Sequence, residues 1–80
     1  MSRTQGAEPP IGTALRELRT SRGLTQEELA ARSGLHRNYI GGVERGERNP
    51  TFRSVGKILR VLGVSWADLG RRLDALKDRR

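Results

Sequence analysis

The chain has 80 residues, of which 34% are apolar and three are aromatic, so it forms one domain with a small core. A domain of this size buries only about 60% of the surface that its unfolded chain exposes. There is no cysteine, which excludes disulfides and thiolate metal sites. The sequence has neither the ~20 consecutive apolar residues of a membrane span nor a signal peptide, and we expect a cytoplasmic protein.

The charge of the chain is strongly positive. Lys and Arg together number 16 against nine acidic residues, which gives a formal net charge of +7, and nearly all of the basic residues are arginine. A small domain with this balance is expected to bind polyanions, either nucleic acid or an anionic membrane surface. Because no segment predicts membrane insertion, nucleic acid is the leading candidate partner.

The N-terminal part of the sequence predicts an arm followed by a helix. Residues 1–10 are polar and end in two prolines, which is typical of a flexible arm. Apolar residues then recur at helical spacing between Ile11 and Leu18, which predicts helix 1 from about Ile11 to Arg22. Gly23 follows at a position where glycine commonly ends a helix.

Two short helical patterns follow, separated by only a few residues. Thr25 and Glu28 have the spacing of a capping box, which predicts helix 2 from Gln26 to about Arg32. Ser33 and Gly34 end it, and the next pattern runs from His36 to about Arg45 as helix 3. Two short helices joined by a glycine-containing turn are the signature of a helix-turn-helix.

Two further helices complete the predicted elements. Thr51 caps helix 4, which ends at Gly63, and Ser65 with Asp68 forms a second candidate capping box at the start of helix 5. Residues 78–80 are expected to fray. Apolar positions at helical spacing occur along helix 4 at Phe52, Val55, Ile58, Leu59 and Leu62, and along helix 5 at Trp66, Leu69, Leu73 and Leu76. Since no strand signal or repeat is present, the predicted fold class is all-α with one domain over residues 11–77.

Helix 3 contains two adjacent glycines, Gly41 and Gly42, each of which costs a helix interior roughly 1 kcal/mol relative to alanine. With 100° per residue, Ile40 and Val43 define the buried direction, and both glycines fall on the outward half of the helix beside Asn38. We therefore expect a bare backbone there, which suits close approach of another macromolecule. The alternative is that the glycines are tolerated on an exposed surface and have no role.

The stretch LTQEELAARSGL-HRNYIGGVERGERNPT, with LGVSWADL after helix 4, resembles the Cro/cI-like repressors, the XRE-type helix-turn-helix family of bacteria and phages. The likeness extends from about Ile11 to Leu69. It implies a five-helix lambda-repressor-like DNA-binding domain in which helices 2 and 3 form the helix-turn-helix. It further implies that helix 3 enters the major groove of double-stranded DNA.

The resemblance also implies which residues touch DNA. Arg37, Asn38 and the position of Gly42 correspond to those that face base edges, and because glycine has no side chain, readout shifts to Arg37 and Asn38. Arginine suits guanine and asparagine suits adenine, whereas the alternative is a solvated helix terminus. Residues expected to contact phosphate, from the resemblance or from their position beside helix 3 and helix 4, are Gln26, Tyr39, Arg45, Arg48, Asn49 and Arg53. Gln26 is also expected to brace helix 3.

Two further assignments concern structure. Glu44 falls on the inward side of helix 3. The family resemblance implies that this glutamate forms an ion pair with an arginine of helix 1. The matching arginine here is Arg19, so we expect a structural Arg19–Glu44 ion pair. The apolar stripe of helix 5 (Trp66, Leu69, Leu73 and Leu76) either closes the core or pairs with a second copy. We favour a homodimer, which places two recognition helices one DNA turn, ~34 Å, apart.

An enzyme is not expected. His36 is the only histidine, which argues against a histidine metal cluster or a Ser-His-Asp triad, and Asp68 and Asp74 lie on opposite-leaning faces of one helix. We expect no metal and no cofactor. The predicted function is a dimeric, sequence-specific DNA-binding repressor or regulator. Candidates within this class are a phage-type repressor, a restriction–modification controller and the antitoxin half of a toxin–antitoxin pair. The alternative is an interaction module that binds a partner protein or RNA through the same helices.

Overall fold

The computed structural model describes residues 10–78, which form five helices. Their bounds are Ile11–Ser21 (α1), Gln26–Ser33 (α2), Arg37–Glu44 (α3), Phe52–Leu62 (α4) and Trp66–Lys77 (α5). The all-α prediction is confirmed, and each bound agrees with the sequence-based one to within about two residues. Most of the expected N-terminal arm and the last two residues of the tail lie outside the described residues. No helix within the described range is long and apolar enough to span a bilayer.

Side chains satisfy the free backbone N–H groups at the start of four helices. Reciprocal capping boxes are formed by Thr25 with Glu28, Thr51 with Ser54, and Ser65 with Asp68. The two boxes predicted from sequence are confirmed. His36 serves as the N-cap of α3, because its Nδ1 accepts the backbone N–H of Asn38 at 3.0 Å. These local bonds fix where each helix begins and therefore which side chains its first turn presents.

The hydrophobic core lies where α1, α2, α3 and α4 meet. Its largest fully buried side chains are Leu15, Leu29, Ile40, Val43 and Ile58. The two residues of α3 in this set are those that defined the buried direction in the sequence. They anchor α3 to the core and leave its opposite side facing outward.

A close approach between α1 and α3 depends on Gly12. A Cβ atom at this position would lie 2.1 Å from the backbone carbonyl oxygen of Val43. Because no side chain can occupy that space, glycine allows the first turn of α1 to pack directly against the C-terminal turn of α3. The position of the outward-facing helix is therefore set partly by backbone contact.

The apolar stripe of α5 does not behave as one surface. Leu69 is buried in the core, and Leu73 and Leu76 are partly buried against it. Leu69, at 3% exposed, has little area left that a second chain could bury. Trp66 is 45% exposed, and Phe52, which the periodicity of helix 4 had grouped with the apolar core positions, is 79% exposed. A side chain in the first turn of a helix can lie beyond the edge of the core.

Candidate nucleic-acid interface

The turn between α2 and α3 determines how α3 is presented. Gly34 ends α2 in the left-handed conformation, with φ 78°, which a residue with a side chain rarely adopts. The chain then reverses within two residues to the N-cap of α3. Consequently the first turn of α3, which carries Arg37 and Asn38, is exposed at the surface.

Arg37 does not extend freely into solvent. Its Nε donates to Glu27 Oε2 at 2.8 Å, and its Nη1 lies 3.4 Å from Asn38 Oδ1. The hydrogen bond from Arg37 lowers the pKa of the exposed Glu27 carboxyl, which favours its ionised form. The pair joins the first turn of α2 to the first turn of α3.

A second, buried cluster holds the C-terminal end of α3. Glu44 accepts hydrogen bonds from Arg19 Nε at 2.7 Å and from Arg19 Nη2 at 2.9 Å. The two side chains are only 10% and 4% exposed, respectively for arginine and glutamate. Arg19 Nη1 also donates to the carbonyl of Leu24 at 2.7 Å, and the bond to Glu44 raises the pKa of the guanidinium. The structure thus contains the ion pair that the family resemblance implied.

Gln26 is the third member of this cluster. Its Nε2 donates to Glu44 Oε1 at 2.9 Å, and its Oε1 lies 3.5 Å from where a Cβ of Gly41 would be. The side chain therefore lies across α3, which is the bracing position expected from the sequence. One N–H of the amide is used by Glu44, which leaves the second N–H and the first-turn backbone as the donors for a phosphate.

The two glycines of α3 are covered. A Cβ on Gly41 would lie 3.0 Å from Arg45 Nη1, and a Cβ on Gly42 would lie 3.0 Å from Arg48 Cδ. Both glycines are buried, so the expectation of a bare backbone is wrong. The sequence did not reveal this because arginine stems several atoms long fold back over the helix. The atoms over Gly42 all belong to the flexible side chain of Arg48, whereas Gly41 faces both Arg45 and the Gln26 amide of α2.

Tyr39 connects α3 to the start of α4. Its hydroxyl lies 2.8 Å from Ser54 Oγ and accepts the backbone N–H of Thr51 at 3.3 Å. The guanidinium of Arg48 lies over the ring, 5.6 Å from its centroid, within the range of a cation–π contact. The family resemblance implied that Tyr39 contacts a phosphate, and its hydroxyl is part of an internal network in this structure.

The remaining predicted phosphate contacts, Arg45, Arg48, Asn49 and Arg53, are all exposed. Arg45 Nη2 pairs with Glu47 Oε1 at 3.1 Å, and this bond lowers the pKa of the Glu47 carboxyl. We call the side formed by Arg37, Asn38, Arg45 and Arg48 the basic face. It follows the outward side of α3 and the loop after it.

Family comparison agrees with this geometry. The helix-turn-helix family model HTH_3 matches residues 15–69, which is more than half of the chain. The chain belongs to the Cro/cI-type helix-turn-helix family. Its members are transcriptional regulators, not enzymes. Within residues 10–78 of this helix-turn-helix regulator, no group of three or more His, Cys, Asp or Glu could hold a metal ion.

Two relatives illustrate the similarity in sequence. The regulator is 44% identical over 59 residues to the HTH-type transcriptional regulator y4dJ of Sinorhizobium fredii, covering 74% of this chain and 77% of the relative. It is 42% identical over 60 residues to the control protein C.BamHI of Bacillus amyloliquefaciens, covering 74% of each chain.

Two solved structures show the same fold. The restriction–modification controller protein C.Esp1396I superposes with a TM-score of 0.86 at 31% identity, covering 98% of this chain and 99% of that one. The controller protein C.AhdI from Aeromonas hydrophila is 48% identical, with a TM-score of 0.72, and covers 76% of this chain and 92% of its own. The lambda-repressor-like fold expected from the sequence is thereby confirmed.

Sequence reasoning missed three residues that shape the basic face or the surface beside it. Glu27 and Glu47 each hold an arginine of the basic face, and Phe52 stacks on Trp66. Glu27 is ten positions before its partner, so no helical spacing connects the two. Only the angle between α2 and α3 brings them together.

Proposed function

We propose that this helix-turn-helix regulator is a restriction–modification controller type of protein that binds a palindromic operator in double-stranded DNA as a homodimer. The observation that carries the proposal is the presentation of α3. Its N-terminal turn exposes Arg37 and Asn38, while its C-terminal end is held by the buried Arg19–Glu44 pair. A rigid helix with an exposed arginine and asparagine at its N-terminus suits readout of base edges in the major groove.

Similarity favours the controller role over the phage-repressor and antitoxin roles. C.BamHI, C.AhdI and C.Esp1396I are named as control or controller proteins, and a structure of C.Esp1396I shows a tetramer in complex with its natural 35 base-pair operator. We infer the same kind of target for this chain, with Arg37 and Asn38 contacting bases and Gln26, Arg45, Arg48, Asn49 and Arg53 contacting phosphates. The cytoplasm, where such an operator lies, is the expected place of action.

The dimer is supported by an exposed aromatic pair. The rings of Phe52 and Trp66 stack with centroids 4.4 Å apart and an interplanar angle of 10°. Among the residues that the structure describes, these two are the large hydrophobic side chains left exposed. Burial of such a pair against the same pair of a second copy would remove apolar surface from water and join the ends of α4 and α5 across a two-fold axis.

Selection of duplexes from a random library tests the function. We expect enrichment of two related half-sites with centres 10–11 base pairs apart or a multiple of about 10 base pairs, because dimers of this motif place recognition helices about one turn apart. Binding should weaken steeply with salt, by about 0.9 in log–log slope for each phosphate neutralised. Equal affinity for random duplexes and single strands would contradict the proposal and favour the interaction-module alternative.

Sedimentation equilibrium tests the dimer separately. Phe52→Glu and Trp66→Glu should shift the regulator to monomer while preserving the fold, because an acidic residue is favourable in the first turn of a helix. Ala31→Lys, an exposed substitution on α2, is the control and should keep the dimer mass. An unchanged mass for both glutamate variants would place the dimer contact elsewhere.

A further inference from the structure

The Arg37–Glu27 pair determines which edge of the guanidinium is available. Glu27 occupies Nε, so the terminal Nη1 and Nη2 groups form the outward fork. Within residues 10–78, Nη2 has no hydrogen-bond partner, and Nη1 has only the long contact to Asn38. An arginine with its Nε occupied can still make a bidentate contact, using both terminal nitrogens, with O6 and N7 of guanine.

The carboxylate also affects which acceptor Arg37 can bind. A phosphate oxygen that approaches the fork carries a negative charge and is repelled by Glu27, whereas the acceptors on a guanine edge are neutral. The pair lies on the surface, where a phosphate could otherwise reach the arginine easily. The carboxylate therefore penalises a phosphate contact more than a base contact.

We propose that Glu27 is a positioning residue that directs Arg37 to a base edge and away from phosphate. This inference rests on the proposed function, since it assigns a role within the DNA interface. It makes Glu27 a determinant of specificity that acts through Arg37. The simpler interpretation is an exposed ion pair without effect on binding, because many such pairs contribute nothing measurable.

A substitution with a matched control separates the two interpretations. Glu27→Gln and Glu47→Gln each remove one exposed carboxylate that accepts a hydrogen bond from an arginine of the basic face, so both raise the net charge equally. Affinities of both variants and the wild type are measured by fluorescence anisotropy for the selected operator and for a scrambled duplex. Each titration is repeated over a range of salt concentrations, and circular dichroism verifies the fold.

A bidentate arginine–guanine contact is worth a factor of roughly 5 to 150 in discrimination between bases. We expect Glu27→Gln to lower the operator-to-scrambled affinity ratio by roughly fivefold per half-site, the low end of that range, because Arg37 itself remains. Its salt slope on the scrambled duplex should steepen by about 0.9 for each recognition helix bound, as Arg37 gains a phosphate. Glu47→Gln should strengthen binding to both duplexes alike and leave the ratio unchanged.

An Arg37→Ala background shows whether Glu27 acts through the arginine. In a double-mutant cycle, Glu27→Gln should no longer alter the ratio once Arg37 is absent. The proposal is overturned if the ratio is unchanged in Glu27→Gln, or if its change persists in the Arg37→Ala background, which would mean that the carboxylate contacts a base directly. A wild type that does not distinguish the two duplexes would instead refute the proposed function, and this inference with it.

Discussion

Replacing Glu44 with alanine should strongly destabilise the fold. The substitution removes the acceptor of three hydrogen bonds, two from Arg19 and one from Gln26, in a cluster whose ionic side chains are at most 10% exposed. Breaking a buried ion pair by removing one partner costs about 3–5 kcal/mol. Arg19 keeps its bond to the carbonyl of Leu24, so we expect a value near the lower limit, about 3 kcal/mol.

Thermal unfolding followed by circular dichroism measures this cost. In a domain of 60–100 residues each kcal/mol lowers the melting temperature by about 4–8 °C, so Glu44→Ala should melt roughly 12–24 °C below the wild type. Gln26→Ala, which removes only the third bond, should cost about 1 kcal/mol. The double variant Arg19→Met/Glu44→Leu replaces both charges with apolar groups of similar size and should recover most of the loss.

A melting temperature for Glu44→Ala within about 4 °C of the wild type would refute the reasoning, because it would mean that the pair contributes less than about 1 kcal/mol. Failure of the apolar double variant to recover stability would show that Arg19 is required for another reason, such as its bond to the loop at Leu24. The two outcomes distinguish the ion pair from the rest of the cluster.

Three further outcomes are expected. Gly12→Ala should lower the free energy of unfolding by about 1–3 kcal/mol in a melting experiment, because its Cβ would meet a backbone carbonyl at 2.1 Å. Gly70→Ala is the matched control: nothing lies within 4 Å of its Cβ position, and it should stabilise α5 by up to about 1 kcal/mol. A bulky residue at Gly42 should weaken operator binding far more than it weakens folding, because only the flexible stem of Arg48 needs to move to keep the fold. Fluorescence anisotropy measures the binding, and thermal melting measures the stability. The capping hydrogen bonds at the start of α5 lower the pKa of the Asp68 carboxyl. The ionised carboxylate therefore stabilises the fold above about pH 3.8, and this stabilisation is lost as the pH falls through the lowered pKa of the folded state. Urea titrations at a series of pH values should show this loss in the wild type and not in Asp68→Asn.

The number and bounds of the helices could be predicted from the sequence because local chemistry determines them. Thr25 and Ser65 form their capping bonds with residues three positions later, and Gly34 and Gly63 end helices in the left-handed conformation. None of these interactions depends on how the helices pack. The same holds for the buried direction of α3, which follows from the spacing of its apolar residues.

The surface of the basic face could not be predicted in the same way, because it is formed by side chains from different elements. Arg37 meets a carboxylate of α2, and Arg48 returns from a loop to cover a residue six positions earlier. The need for glycine at position 12 is likewise a property of the α1–α3 contact. The buried Arg19–Glu44 pair was reached from the family resemblance, since spacing alone does not relate residues 25 positions apart.

The glycines of α3 connect the stability of the fold to the proposed binding. Two successive glycines lower the helix propensity of α3 by roughly 2 kcal/mol relative to alanine, yet no core contact requires them, because the atoms nearest their Cβ positions belong mainly to Arg45 and Arg48. In the free protein the glycines therefore let two arginines lie close against the helix. If those arginines turn outward to phosphates, as the proposed function requires, the backbone of Gly42 becomes an uncovered surface that a DNA groove can approach, while Gly41 stays beside the Gln26 amide. Glycine at these positions thus suits the free protein, where the arginines lie against the helix, and the proposed DNA complex, where they turn outward. A side chain at either position would occupy the space beside the helix that the folded-back arginine takes in the free protein.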